Sequence, residues 1–331
     1  MQKWFILTSL LLAFSVGSLL ACDYCLLTQG ISPLETSKGL GLRVDERYTR
    51  LSTLFDHGTK MDNSNELETH WTTQFSAFYN VKSRLTLVAF VPYVRRYERE
   101  VAEDTTAHSD AVAAKTSQVH KLFHGGTGAA GTATGLSDLT LLARCQAIKR
   151  HSLTSTFIAA LQAGVRFPTG RTNAQDHHEN FLDAHLQPGT GAFNYLFGLS
   201  TSYAFKRFNL VANGLYNLAT EGEVGEDTYE FGNALNYDAA FRFRLNSGEQ
   251  APLNFFAAVG VAGEYRGSEL QNGVEVPGTG GHTLYLTPGL QVFYRSLLFE
   301  FSFWQPLVQD LNGEQLGETF KTFAGISYLI Q

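Results

Sequence analysis

Charged residues in this chain recur at alternate positions of short segments, as in Arg43, Asp45 and Arg47, or Arg242 and Arg244. Applied along the chain, the same reading adds Asp138, Arg144, Arg166, Asp238, Glu264, Arg266, Arg295 and Glu300. Side chains two apart in an extended strand share a face, so these groups form one charged surface. Two chemistries are open to it. Arginines and carboxylates on facing strands can neutralise one another as pairs, or they can set up a field that selects small ions and polar solutes in a pore. Arginine outnumbers acid in the set, which in a pore would favour anions.

A second constellation is rich in histidine. His57, then His108, His120 and His124, then His177, His178 and His185 fall between the extended segments. In Asp176-His-His-Glu-Asn-Phe-Leu-Asp-Ala-His185 the imidazoles and carboxylates are dense enough to hold a divalent transition metal, with His177, His178 and His185 as candidate ligands. The spacing matches no defined zinc motif, so ordinary polar loop residues are the plainer reading. Cys22-Asp-Tyr-Cys25 would form a disulfide in an oxidising compartment. It lacks the following His of a c-type haem site, and Leu19-Leu-Ala-Cys22 resembles a lipobox that would instead lipidate Cys22. The run Gly125-Gly-Thr-Gly-Ala-Ala-Gly131 has no Lys-Ser/Thr after it and is read as part of an external loop that folds into a pore mouth. His70 faces inward with Thr72 and Gln74 and has no obvious Ser partner, which argues against a barrel lipase. No cofactor is expected.

These residues need elements to position them. Residues 1–21 read as a signal peptide, with Lys3, an apolar stretch from Phe5 to Leu20, and Ala21 at the cleavage point. No later stretch holds enough consecutive apolar residues to cross a bilayer as a helix. Only 17% of residues are charged while 13% are aromatic, a balance that suits strands with one face to lipid and one to water. A net charge of -6 excludes a nucleic-acid partner. Residues 22–39 are expected to form a periplasmic N-terminal segment carrying the CxxC, and 40–331 a transmembrane antiparallel β-barrel of about twelve strands.

The alternation is plain in Asp138–Ala147, where Leu139, Leu141, Ala143, Cys145 and Ala147 oppose Asp138, Thr140, Leu142, Arg144 and Gln146. Strand starts are expected near 40, 67, 84, 137, 153, 193, 207, 230, 252, 283, 297 and 317. Short connections then alternate with long ones near 54–66, 99–136, 168–192, 219–229, 267–282 and 309–316. That parity is what periplasmic turns and external loops produce. The charged face lines a wet lumen, because so many charges could not fill a dry core. The apolar face carries aromatics near strand ends, among them Trp71, Tyr79, Tyr203, Phe208, Tyr294 and Tyr328, where interfacial girdles belong. The terminal Tyr328-Leu-Ile-Gln331 departs from the usual final Phe of an insertion signal.

Four segments carry a family resemblance: Phe90-Val-Pro-Tyr-Val-Arg95, Leu136-Ser-Asp-Leu-Thr-Leu141, Gly164-Val-Arg-Phe-Pro-Thr-Gly170 and Leu186-Gln-Pro-Gly-Thr-Gly191. With them the chain resembles the outer-membrane transporter family named for the meta-pathway of phenol degradation. Its members have a Gly-x-Gly-Asp-Leu strand start, where this chain has Gly135-Leu-Ser-Asp138. The resemblance implies a barrel with a transport role and names no solute. The expectation is therefore a monomeric, porin-like outer-membrane barrel, in contact with lipid and passing small solutes. The alternatives are a non-conducting scaffold or adhesin, or a metal-binding surface barrel.

Overall fold

The computed structural model describes residues 39–63, 65–82, 84–99, 131–246 and 252–330. Cys22, Cys25, His108, His120, His124 and most of the glycine-containing loop lie outside them. Every regular element among the described residues is a strand. Twelve form a closed antiparallel barrel: β1 (Gly39–Asp56), β2 (Leu67–Lys82), β3 (Leu85–Arg99), β4 (Gly131–Leu136 continued by Thr140–His151), β5 (Ser155–Arg166), β6 (Asn194–Phe205), β7 (Phe208–Leu218), β8 (Ala234–Arg244), β9 (Leu253–Arg266), β10 (Gly281–Leu286 continued by Gly289–Tyr294), β11 (Leu297–Leu311) and β12 (Glu314–Ile330). Each strand pairs with its neighbours in sequence, and β1 closes on β12 from Leu40↔Ile330 to Asp56↔Glu314. Closure leaves no unpaired sheet edge, as a strand structure in lipid requires.

The faces divide as the alternation predicts. On β1, Leu40, Leu42 and Val44 are 38–47% exposed, whereas Arg43, Asp45 and Arg47 are 1–5% exposed. Apolar outside and charged inside is the reverse of a soluble domain. At the short-turn end Tyr79, Tyr203, Phe208, Tyr294 and Tyr328 stand exposed on the outer wall. Cations sit over two rings there, Lys206 over Phe205 at 5.2 Å and Arg295 over Tyr294 at 5.3 Å. At the other end Tyr48 meets Trp71 edge-on at 5.7 Å, and Arg95 lies 5.8 Å over the Trp71 ring. Rings with an apolar body and a polar tip suit the two interfaces of a bilayer.

Three departures from the expected strands matter. β4 begins at Gly131 and breaks at Ser137, whose amide still bonds to the carbonyl of Pro92 on β3. Pro92 has no N–H to offer the ladder, which makes this a natural place for the break. A bulge in β12 brings Glu318 and Lys321 to the same face, although they are three residues apart. The skipped residues Ser52 and Thr319 hydrogen-bond each other at 2.8 Å. Two long connections, expected as loops, form hairpins instead: Glu221–Val224 with Asp227–Glu230, and Leu270–Gln271 with Val274–Glu275. They join side by side into a small sheet over the barrel mouth.

Candidate functional site

The lumen is layered. At the external end the segment 182–190 turns inward and closes over the mouth, with Ala184, Leu186 and Gln187 buried. Asp138, buried at the loop-end break in β4, holds this segment from below. Its Oδ1 accepts from the Gly170 amide at 2.8 Å, and its Oδ2 accepts from the Thr190 amide at 2.9 Å and the Thr190 hydroxyl at 2.7 Å. Gly170 and Gly189 touch so closely that a Cβ on either would meet the other's backbone within 2.7 Å. Gln187 fixes the same segment by accepting from the Ala174 amide at 2.7 Å and donating to the Leu182 carbonyl at 2.9 Å. Arg96 on β3 donates to the carbonyls of His185 and Gln187.

From above, the segment is tied by a charged hub. His185 Nε2 lies 2.9 Å from Glu269, which is fully buried, and Arg266 stands 3.5 Å from the same carboxylate. The Tyr229 hydroxyl donates to Glu269 as well. Burial opposes the imidazolium of His185, but Glu269 outweighs it and lifts the pKa to about 10. Burial likewise works against the Glu269 carboxylate, yet His185 and Arg266 hold it below the ordinary carboxylate range. Burial and the adjacent Glu269 push the Tyr229 phenol up, so it remains a donor. Val224, Tyr229, Val276 and Ala184 pack together, seating the surface sheet on the inward segment. Between that segment and the barrel wall a cleft of about 50 Å³ remains, bordered by His70, Arg96, Asp138, Arg166 and Gln187.

Below the mouth, one wall is ionic. Lys321 sits 2.6 Å from Glu264 and 2.9 Å from Glu318, and the Tyr285 hydroxyl donates to Glu318 at 2.9 Å. The Lys321 ammonium also lies 4.8 Å over the Tyr285 ring. One layer further down, Arg43 pairs with Asp45 at 2.6 Å and Glu300 at 2.5 Å and donates to Ser327 at 3.2 Å. Gln291 donates to Glu300 too. Buried charges are tolerable only when paired and hydrogen-bonded in this way. The facing wall is apolar: Phe90, Leu142, Leu196 and Leu215 cluster on inward positions of β3, β4, β6 and β7.

At the short-turn end the lumen opens into a vestibule of about 340 Å³, bordered by Asn209, Arg242, Arg244, Asn254, Phe256, Gln291, Phe293 and Arg295.

The charged positions expected on the inner face are thus distributed, not gathered. Arg43, Asp45 and Glu300 form one cluster, Glu264 joins Lys321, and Arg266 joins Glu269. Arg47, Arg144 and Arg166 are buried along the inner wall, and Asp238 accepts from Asn213 at 2.9 Å. Asp138 is committed to the loop, and Arg242, Arg244 and Arg295 border the vestibule. The three proposed metal ligands do not converge. The His177 and His178 rings lie 4.0 Å apart, tilted by 44°, on an exposed turn shaped by Asp176, whereas His185 points into the lumen to Glu269. Among the described residues no group of three His, Cys, Asp or Glu side chains is arranged to hold a metal. His70 faces inward and bonds to Glu68. Cys145 is a free thiol on the exposed outer face.

Sequence reasoning missed Arg96, Gln187, Glu269, Glu318 and Lys321. Gln187 lies inside a quoted motif, and alternation from Phe323 back to Lys321 marks that lysine as inward. Glu269 carries no signal, because a loop residue has no strand period to place it.

The family model described as "Putative MetA-pathway of phenol degradation" matches residues 77–304. The chain belongs to this family. Three of the four segments that carry the resemblance meet at one point, since Asp138, Gly170 and Thr190 are the members of the hydrogen-bonded knot under the mouth. Among solved structures, the COG4313 outer membrane channel from Pseudomonas putida F1 has a TM-score of 0.64 at 15% identity, covering 91% of this chain and 100% of the other. The CymD monoaromatic hydrocarbon channel has a TM-score of 0.42 at 9% identity, covering 96% and 95%. The NanC porin has 0.41 at 10%, covering 88% and 100%. No curated protein sequence matches. Family and fold together place the chain in the outer membrane.

Proposed function

We propose that the barrel passes small solutes through its lumen, with the inward segment 182–190 as the constriction. The observation that carries this reading is how the mouth is closed. Hydrogen bonds and one ion pair hold the segment at its edges, over a polar cleft and not over a sealed apolar core. Such a closure can shift without exposing a large apolar area, unlike a packed plug. The family description ties its members to phenol breakdown, and the similar barrel from Pseudomonas putida F1 is described as a channel; both support a transport role. An inward His70 paired with Glu68 speaks against the Ser–His arrangement a barrel lipase would need at the lipid boundary.

The test is planar-bilayer conductance of the refolded, heat-modifiable barrel. Discrete small steps that enlarge in Asp138→Ala are expected. A silent bilayer for both proteins would overturn the channel reading and favour a non-conducting scaffold that uses its surface sheet.

A further inference from the structure

The vestibule differs from every other charged part of the lumen. Its arginines arise from alternation on β8, where Arg242 and Arg244 face inward, and from the turn after β10, where Arg295 adopts a left-handed backbone with φ 55°. The backbone amide of Arg244 bonds to the carbonyl of Arg207 at 2.9 Å, which fixes it beside the short turn between β6 and β7. Arg242 has no acidic partner among the described residues, nor does Arg295, which borders the rim with its guanidinium 5.3 Å over the Tyr294 ring and reaches a ligand by swinging inward. Nη1 of Arg242 is buried with no hydrogen-bond partner there, and so is Oδ1 of the facing Asn209. Rotating that amide would present its NH2 as a further donor. The two acids that border a neighbouring cavity with Arg242 are already engaged, Glu300 by Arg43 and Gln291 and Asp238 by Asn213.

The remaining wall carries two aromatic rings beside Pro252, Asn254 and Gln291. Phe256 and Phe293 face inward from β9 and β10, edge to face at 5.5 Å. Guanidinium groups and aromatic rings bordering one cavity match a ligand that is anionic at one end and apolar at the other. A volume of about 340 Å³ is at the small end of ordinary ligand pockets, which run from roughly 300 to 1,000 Å³. We infer that this vestibule is a binding site for small organic carboxylates with a compact apolar body, held by Arg242 and Arg295 at the carboxylate and by Phe256 and Phe293 at the body. The site deepens the channel reading by naming a solute class at its short-turn exit, and rests on that reading only for its role in passage.

The probe is benzoate, with acetate and benzamide as comparators that lack the apolar body or the charge. Retention is measured by equilibrium dialysis against the refolded barrel in a zwitterionic detergent. Saturable benzoate retention is expected, at least about tenfold tighter than either comparator and weakened about tenfold in Arg242→Gln and in Arg295→Gln, the loss of one charge-assisted hydrogen bond. Arg295 sits at a turn, so its variant tests the site even if Arg242→Gln does not fold; heat-modifiable migration checks each. Equal retention of benzamide would reduce the site to an apolar pocket, and equal retention of acetate would reduce it to a general anion funnel; either overturns the proposal, as does unchanged binding in both variants. A silent bilayer with benzoate still bound sinks the channel reading alone. Conductance without benzoate retention sinks the site alone.

Discussion

The middle of the lumen and its short-turn vestibule both present arginine to the interior and treat its charge in opposite ways. Around Lys321 and Arg43 each cation is placed within 2.9 Å of carboxylates, so the charges cancel locally. Around Arg242 and Arg295 the positive charge is left uncompensated by the described residues. Cancelled charge acts as a framework: it specifies which strands meet and contributes little field. Uncancelled charge costs folding free energy, and its field extends to whatever enters from the aqueous side. Identical side chains therefore divide into scaffold and site by their neighbours alone.

The largest effect should come from attacking the cancelled half. Replacing Lys321 by Met strands Glu264 and Glu318 without their cation in the interior. A loss of about 3–5 kcal/mol is expected, the range for breaking one partner of a buried pair. It would be read as a lower urea midpoint for the folded barrel. If Lys321→Met instead folds with its midpoint unchanged, the ionic layer is not a framework.

Next in size is Asp138→Ala, which leaves the Gly170 and Thr190 amides without their acceptor. About 2–3 kcal/mol should be lost, since bonds to a charged group are each worth roughly 1.5–3 kcal/mol and buried donors are left unmade. The loosened segment should raise conductance, a change that a global loss of packing would not produce.

The tie between His185 and Glu269 sets a pH window for the mouth. His185 is raised from its ordinary value to about 10, so its contribution is complete below the unfolded value and is lost as pH rises through about 10. Glu269 is held low, so its contribution is present above the ordinary carboxylate value and is lost as pH falls through the lowered one. Current noise from the mouth should therefore stay low at neutral pH and rise as pH passes about 10. Glu269→Gln should bring that noise to neutral pH. A wild-type noise level flat across this range would show that the ion pair does not hold the segment.

The smallest stability effect belongs to the vestibule. Arg242→Gln combined with Arg295→Gln should move stability by less than about 0.5 kcal/mol, because no partner is stranded. The reversal potential in a salt gradient should nevertheless shift away from anions, and more so at low salt. A double variant that is as destabilised as Lys321→Met would erase the distinction between the two regions.

Much of this division was open to sequence reading, and its limits have physical causes. Period-two alternation placed Arg43, Asp45, Arg242 and Glu264 on the inner face, and loop parity gave the strand number. Pairing was not legible, because it depends on register between strands far apart in sequence: Arg43 meets Glu300 across the barrel's closing strands. The bulge at Thr319 shifted the phase of β12, so strict alternation puts Glu318 and Lys321 on opposite faces. The surface hairpin at Leu270–Glu275 had a signal in Asn272-Gly273, a dipeptide that favours two-residue hairpin turns, with φ 53° and 74°. Density of histidine near 176–185 pointed to metal, but density is not convergence. The turn at Asp176 sends His177 and His178 outward, and the descent of the chain into the mouth carries His185 the other way.

Closure of β1 on β12 has a consequence for how the molecule is made. Arg43 finds Ser327 at a separation of 284 residues, and Leu40 faces Ile330. The first strand to emerge must therefore wait for the last, its hydrogen-bonding edge unsatisfied while ten other strands are laid down between them. Long-range pairings of this kind are slow to form, and a waiting strand is a template for the wrong partner. A chain cut short by even its final strand would hold two such edges permanently. Completion is then a single event at the seam, and a cell's quality control needs to watch only that one junction to tell a finished barrel from a fragment.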